Sequence, residues 1–302
     1  FERYLTAKKS VDDRALNARV WQTLAQQFEE ASKDAAPLRI LEIGAGIGTM
    51  VERMLEQGMF THAEYDAIDA EPANIAAART RLREWASTHG GVAVSAGDQL
   101  RVWTDLGGCR TDLTLEACDA FDYLQRPASA GRYDLIVAHA FLDLVDVAHV
   151  LPLLHAALKP GGLLYATINF DGVTSFEPSV DPALDAQIER LYHATMDERI
   201  TDGRPSGDSH TGRHLLSNLT GAGFDVLVAG SSDWVVHGRD GRYHDDEAYF
   251  LHFIVNTVDG ALAGHAELDD QDFAAWVEAR HAQIERGELV YIAHQLDVLA
   301  QT

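Results

Sequence analysis

Six residues, Leu38-Arg39-Ile40-Leu41-Glu42-Ile43, run directly into Gly44-Ala45-Gly46-Ile47-Gly48, and this junction constrains the fold more than any other stretch of the chain. A short apolar run ended by glycines at alternate positions reads as a buried strand turning tightly into a helix. Glycine permits torsions and close approaches that a Cβ would block. The helix expected from about Ile47 to Gln57 then offers unpaired N–H groups and the positive end of its dipole to an anion. A dinucleotide fingerprint carries its third glycine one place later, where Thr49 stands. The spacing therefore favours a carboxylate over a pyrophosphate as the anionic group of the ligand.

Beyond the turn, strand and helix signals alternate. Tyr65 to Asp69 reads as a second strand, and Pro72 suits the first turn of a helix whose apolar stripe is Ile75, Ala78, Leu82 and Trp85. Leu100 to Thr104 and Leu113 to Ala117 alternate in hydrophobicity on either side of Gly107-Gly108, which predicts a β-hairpin whose second arm joins the sheet. Tyr133 to Ala138 is a further buried strand and Val147 to Leu158 a helix. Lys159-Pro160-Gly161-Gly162 is a stop before the strand Leu163 to Ile168. Ahead of the glycine turn, Leu16, Val20, Leu24 and Phe28 predict one leading helix over residues 11–32. From 169 to 213 regular order lapses, apart from a helix marked by Leu184, Ile188, Leu191 and Thr195, and this stretch is the expected lid. A helix over 213–222, a strand region over 224–236, helices near 245–259 and 270–286, and a last strand over 289–299 complete the pattern. The expected fold is α/β: a doubly wound, mostly parallel sheet of seven strands, with a β-hairpin insertion and a helical lid.

Composition narrows the partners. The formal charge of −23 repels phosphate backbones and anionic membranes, so nucleic acid and membrane surfaces are not the expected partners. No apolar run approaches the ~18 to 20 residues of a membrane span, and Phe1-Glu2-Arg3-Tyr4 lacks the apolar core of a signal peptide. A cytoplasmic location is the resulting expectation. Cys109 and Cys118 suggest neither a disulfide framework nor a zinc site, and no metal is expected.

Two aspartates follow strand ends. Asp69 lies 21 residues beyond Gly48, where a carboxylate can accept hydrogen bonds from both hydroxyls of a ribose; capping the next helix is its other reading. In Ala117-Cys118-Asp119-Ala120-Phe121 the acid can take an adenine amino group and the apolar neighbour can cover the ring, or the segment is simply a capped turn. Taken in order, Glu42 to Gly48, Ile68-Asp69-Ala70-Glu71-Pro72, Asp119, Tyr133 to Ala138 and Leu158 to Gly162 resemble the motif series of class I S-adenosylmethionine methyltransferases over residues 38–168. The resemblance implies that Glu42, Gly44, Ala45, Gly46 and Gly48 line the methionyl end of S-adenosyl-L-methionine. It places Asp69 and Ala70 at the ribose, and Asp119, Ala120 and Phe121 around the adenine. In domain terms it implies an N-terminal helical cap over 1–36 and a Rossmann-like methyltransferase domain over 37–302, with the lid near 169–213.

In that family's pattern the strand ending at His139 points toward the transferred methyl group. His139 is thus both a cofactor contact and, with Asp143, a candidate acceptor of a proton from a substrate hydroxyl or amine; a hydrogen-bonded structural role is its other reading. Asn169 and Asp171 leave the next strand at the same edge and are candidate substrate contacts, as are His193 and Arg199 in the lid. Tyr4, Lys8 and Lys9, and likewise Asp12-Asp13-Arg14, are candidates to close over the site, with helix capping the simpler account of Asp12, and Trp234, Tyr243, Tyr249, Phe250 and Phe253 read as core with some lining an aromatic pocket. The implied reaction is in-line methyl transfer to a small-molecule acceptor. An NAD-dependent oxidoreductase and a non-catalytic S-adenosylmethionine-binding protein are the competing readings, the first disfavoured by Thr49.

Overall fold

The computed structural model describes residues 1–31, 36–96, 99–103, 110–201 and 203–302. The glycine-containing turn of the expected hairpin, with Cys109, lies outside them. Two helices, α1 (Glu2–Ala15) and α2 (Ala18–Ala31), precede the sheet where one had been expected. The break comes at Leu16, in extended conformation, and at Asn17, whose Oδ1 accepts from the backbone N–H groups of Arg19 and Val20 at 3.1 Å. An asparagine in this position caps a new helix and prevents the old one from continuing.

The glycine turn joins β1 (Leu38–Ile43) to α3 (Thr49–Glu56), and β2 (His62–Asp69) leads through Pro72 into α4 (Pro72–Thr88). Next come β3 (Val92–Ala96), β4 (Gln99–Trp103) and β5 (Arg110–Ala117), then α5 (Ala120–Leu124), β6 (Tyr133–His139), α6 (Val147–Ala157) and β7 (Leu158–Glu177). In the C-terminal part are α7 (Pro182–Asp197), a small hairpin of β8 (Ile200–Thr201) and β9 (Arg204–Pro205), α8 (Thr211–Gly221), β10 (Asp225–Ser231), β11 (Trp234–His237), α9 (Glu247–Leu262), α10 (Asp270–Glu285) and β12 (Val290–Gln301).

The main sheet has ten strands, in the order β10-β12-β7-β6-β1-β2-β5-β4-β3, with β11 also paired to β12. Its centre, β7-β6-β1-β2-β5, is parallel throughout; both flanks are antiparallel. The seven strands expected become ten because the first arm of the hairpin, β4, also joins the sheet, β3 pairs outside it, and the region 224–236 divides into two strands. The helix before Lys159-Pro160-Gly161-Gly162 stops at Ala157 as expected, but the strand does not end at Ile168, since pairing with β12 carries β7 on to Glu177 and takes the first nine residues of 169–213 into the sheet. Among the described residues no helix is long and apolar enough to cross a membrane.

Helices cover both faces. In β1, Leu38 and Ile40 pack with α2, α3 and α4 on one side, while Leu41 and Ile43 pack with α5, α6 and α8 on the other. All four are buried, and each contributes roughly 1.5–3 kcal/mol relative to an exposed side chain. A third cluster joins α1, α9, β11, β12 and the far part of β7, and it forms the wall of the site described next.

Candidate active site

A cavity of about 650 Å³ opens at the carboxyl ends of the parallel strands. In open α/β sheets this edge is where ligands collect, because helix N-termini and loop side chains converge there. One half is made by the glycine turn and the end of β2. Gly44 has φ +66°, and a Cβ on it would lie 2.6 Å from the ring of Phe141; only glycine fits. Gly46, at φ +53°, donates its N–H to Asp69 Oδ2 at 2.8 Å. The other Asp69 oxygen accepts from the Glu71 backbone at 2.9 Å and from Asn74 Nδ2 at 3.0 Å. Asp69 therefore ties the glycine turn to the chain entering α4 and lines the cavity, while the cap of α4 is Glu71 and not Asp69.

Glu42 lines the same half and is almost wholly buried. Burial pushes its carboxyl up to about 7, against the pull of the hydrogen bond from Tyr65 Oη, 2.6 Å away, and the Arg53 charge. Near neutral pH it lies midway between carboxyl and carboxylate.

At the end of β6 a buried polar knot separates this half from the next. Asp12, in the middle of α1, accepts from Lys8 Nζ at 2.6 Å, Trp234 Nε1 at 2.9 Å and His139 Nε2 at 3.1 Å. It is no helix cap. Burial alone would raise its carboxyl, but the Lys8 ammonium and the His139 bond outweigh burial and hold it well below the usual range. His139 Nδ1 meets Thr167 Oγ1 at 2.8 Å. Burial, reinforced by the nearby Lys8 and Arg53 charges, lowers the imidazole to about 4, so the ring is neutral, donating to Asp12 and accepting from Thr167. Both ring nitrogens are thus engaged within the protein. Asp143 is different: its Oδ1 is buried, without a hydrogen-bond partner among the described residues, and burial raises its carboxyl above its ordinary value against the pull of backbone N–H groups and of the Arg199 and Lys8 charges.

The second half is aromatic, with Tyr4 of α1, Phe141, Phe170 of β7, Tyr192 of α7, Trp234 of β11 and Phe253 of α9 on its wall. Tyr4 stacks on Phe253 with ring centroids 3.9 Å apart. Arg199 also lines it, its guanidinium bonded to the carbonyls of Asp143 at 2.8 Å and Ser206 at 2.6 Å.

Of the residues singled out in the sequence, Glu42, Gly44, Ala45, Gly46, Asp69, Ala70, His139, Asp143 and Arg199 line this one cavity. Gly48 sits behind it as the left-handed cap of α3, at φ 79°. Asp119, Ala120 and Phe121 do not line it. The Asp119 carboxylate caps α5 by accepting from Phe121 and Asp122, and Phe121 stacks on His149. Even so, Asp69 pairs with Ala117 across β2 and β5, so the two aspartates leave adjacent strand ends. Asn169 and Asp171 are buried beside the cavity but turned away from it, Asn169 toward the Leu296 carbonyl and Asp171 toward Arg213. His193 stands behind the wall, bonded to Thr174. The sequence reading missed Tyr192 and Tyr291 as wall residues. Neither belongs to a local motif, and only the apolar spacing of the lid helix hinted at an inward face near Tyr192.

A parallel-centred sheet with this turn and paired aspartates defines a Rossmann-like nucleoside-binding domain. Residues 41–164 match the family described as a methyltransferase domain, which supports a class I, S-adenosylmethionine-dependent methyltransferase. The glycine cradle and the acidic strand ends fit that cofactor. Over 250 residues the chain is 27% identical to highly reducing polyketide synthase 2 of Gibberella zeae, covering 76% of this chain and 8% of that protein. Among solved structures, the CMeT domain of the citrinin polyketide synthase aligns with TM-score 0.39 and 21% identity, covering 63% of this chain and 42% of that one. A methyltransferase from Methanosarcina mazei aligns with TM-score 0.45 and 15% identity, covering 88% and 92%.

Proposed function

We propose that the domain passes the methyl group of S-adenosylmethionine to a small organic acceptor held in the aromatic half of the cavity. The observation that carries this reading is the shared space. The glycine turn and Asp69 stand at one end, aromatic rings and a bare carboxylate at the other, with a wall of buried side chains between. Gly44, Ala45 and Gly46 would receive the methionyl end and Asp69 the ribose, with Asp119 and Phe121 beyond the cavity rim toward the adenine. When bound, the cofactor supplies an electrophilic methyl group on cationic sulfur.

The chain's own part is alignment and exclusion of water, which together account for much of the rate in such displacements. His139 acts as a positioning residue, fixing Asp12 and through it Lys8 and α1. Asp143 is the group we assign to the acceptor's proton, since it carries a free oxygen and a raised affinity for protons. The polyketide synthase relative supports an organic metabolite as acceptor. The charge of −23 supports a neutral or cationic acceptor over nucleic acid, in a cytoplasmic setting.

The test is transfer of labelled methyl from S-adenosylmethionine into a metabolite extract, by the wild type and by Asp143→Asn. The expected result is labelling of a small molecule, slowed by about 100-fold in the variant, with S-adenosylhomocysteine affinity changed less than about twofold. An equal rate in the variant would remove Asp143 from the chemistry, and label confined to macromolecules would overturn the acceptor class.

A further inference from the structure

The tyrosines of this chain fall into two groups. Tyr65, Tyr123, Tyr133 and Tyr243 each have the hydroxyl bonded inside the protein, to Glu42, to Asp66 (both Tyr123 and Tyr133) and to the Leu289 carbonyl respectively. Tyr4, Tyr192 and Tyr291 all line the cavity, and among the described residues none of their hydroxyls has a partner in the protein. Tyr165, which is buried, and Tyr249, whose ring lies under Arg3, stand outside the cavity and belong to neither group. Unlike that of Tyr165, the hydroxyls of Tyr4, Tyr192 and Tyr291 keep surface open to the cavity, so three phenol donors on one cavity wall mark a place where a ligand oxygen can be bound.

These three come from α1, α7 and β12, and they sit close enough to influence one another. Burial raises all three hydroxyls; Asp12, Tyr192 and Asp143 raise Tyr4 further, Tyr192 and Tyr4 raise Tyr291 further, and at Tyr192 the Arg199 charge works against burial while Asp143 adds to it. They remain protonated and able to donate. Asp143 Oδ1 lies in the same neighbourhood with no donor of its own, and Gln295, 2% exposed on the same wall, has a bare Oε1. Three phenol donors thus stand on the aromatic wall with the Asp143 carboxyl beside them.

We infer that Tyr4, Tyr192 and Tyr291 form an oxygen-binding centre for the methyl acceptor, which is an apolar molecule with a weakly acidic oxygen, a phenol or an enolisable carbonyl compound. The inference rests on the proposed methyl transfer and deepens it. The three hydroxyls donate to the acceptor oxygen and stabilise the negative charge it gains on ionisation. Asp143 takes the proton and becomes a carboxylic acid. The electron pair left on the acceptor, on oxygen for a phenol or on the α-carbon for an enol, forms the new bond to the methyl carbon. The old bond breaks with its pair going to sulfur. An amine acceptor would use Asp143 but leave three donors idle.

Calorimetric titration of the full chain, saturated with S-adenosylhomocysteine, tests this with three probes: 1-phenylbutane-1,3-dione, 2-naphthol and 2-phenylethylamine. The diketone, the naphthol or both should bind, and the amine should bind at least about tenfold more weakly. Tyr192→Phe combined with Tyr291→Phe should weaken the oxygen probes by about tenfold or more while S-adenosylhomocysteine affinity moves less than about twofold. Should that pair fail to fold, Tyr4→Phe alone should weaken them by about threefold or more. Whichever oxygen probe binds identifies the source of the acidic oxygen. Preference for the amine, no binding by any probe, or oxygen probes indifferent to the phenylalanine variants would overturn the inference while leaving methyl transfer standing. Failure of the wild type to bind S-adenosylhomocysteine would overturn the functional reading itself.

Discussion

The two halves of the cavity are built on opposite plans. On the cofactor side the groups that face the ligand are backbone, or are side chains already bonded to nearby backbone: Gly46 N–H to Asp69, and Asp69 to Glu71 and Asn74. Its parts lie within some thirty residues of chain, from Glu42 to Asn74. On the acceptor side the facing groups are side chains from α1, β6, α7, β11, α9 and β12, joined across 127 residues in the case of His139 and Asp12 and 222 in that of Trp234 and Asp12. The lesson is one of prepayment: the cofactor side is held rigid by local bonds with no ligand present, whereas the acceptor side leaves phenols and a carboxylate for the ligand to satisfy.

The contrast breaks most visibly at Asp12. Asp12→Ala leaves the Lys8 ammonium buried without its partner and strips Trp234 and His139 of an acceptor. A loss of about 3–5 kcal/mol in unfolding free energy is expected in denaturant titrations. The pair Lys8→Met with Asp12→Leu, which removes both charges, should recover most of that loss. If Asp12→Ala cost no more than an ordinary surface change, the acceptor wall would not depend on this knot.

Glu42 sharpens the comparison through pH. Its folded carboxyl titrates near 7, above an unfolded value near 4.5, so the folded state holds the extra proton between those limits and loses stability as pH rises through them. Glu42→Gln fixes the neutral form, and its benefit should therefore be about 3 kcal/mol larger at pH 8 than at pH 4. Stability curves of the two proteins that stay parallel over this range would show Glu42 ionising normally. His139 works in the opposite direction, since its lowered value makes acid, not base, the destabilising side, and the subtraction of one curve from the other isolates Glu42.

The smallest expected effect is on the cofactor itself. Asp69→Ala should weaken S-adenosylhomocysteine by about tenfold, or roughly 1.4 kcal/mol, by calorimetry. A change under about twofold would mean that Asp69 serves only as the lock on the glycine turn.

What was legible in the sequence follows the same division. The alternating strand and helix signals from Leu38 to Ile168 gave the parallel centre of the sheet, because each depended on local periodicity, and the turn with its two aspartates announced itself through glycine spacing. The hairpin over 100–117 was visible for the same reason. Tertiary pairing, by contrast, carried β7 past Ile168 and through Gly172 to Glu177, because the antiparallel β12 pairs with it from Leu163 to Glu177. Asn17 was passed over as a cap because the apolar stripe of Leu16 and Val20 runs smoothly across it. Asp12 was misread as a cap for the complementary reason, since an aspartate early in a helix looks alike whether it faces solvent or a buried lysine. The acceptor wall could not be read from spacing, because Tyr4, Tyr192 and Tyr291 share no motif and meet only when three distant elements pack.

The ring of Phe141 rests where a side chain on Gly44 would otherwise be. That contact turns a partition into a shared hinge plate. A guest that pushes the ring from one compartment bears directly on the bend of chain in the other, so the two occupancies are energetically linked, and by reciprocity each guest must alter the other's grip by the same factor.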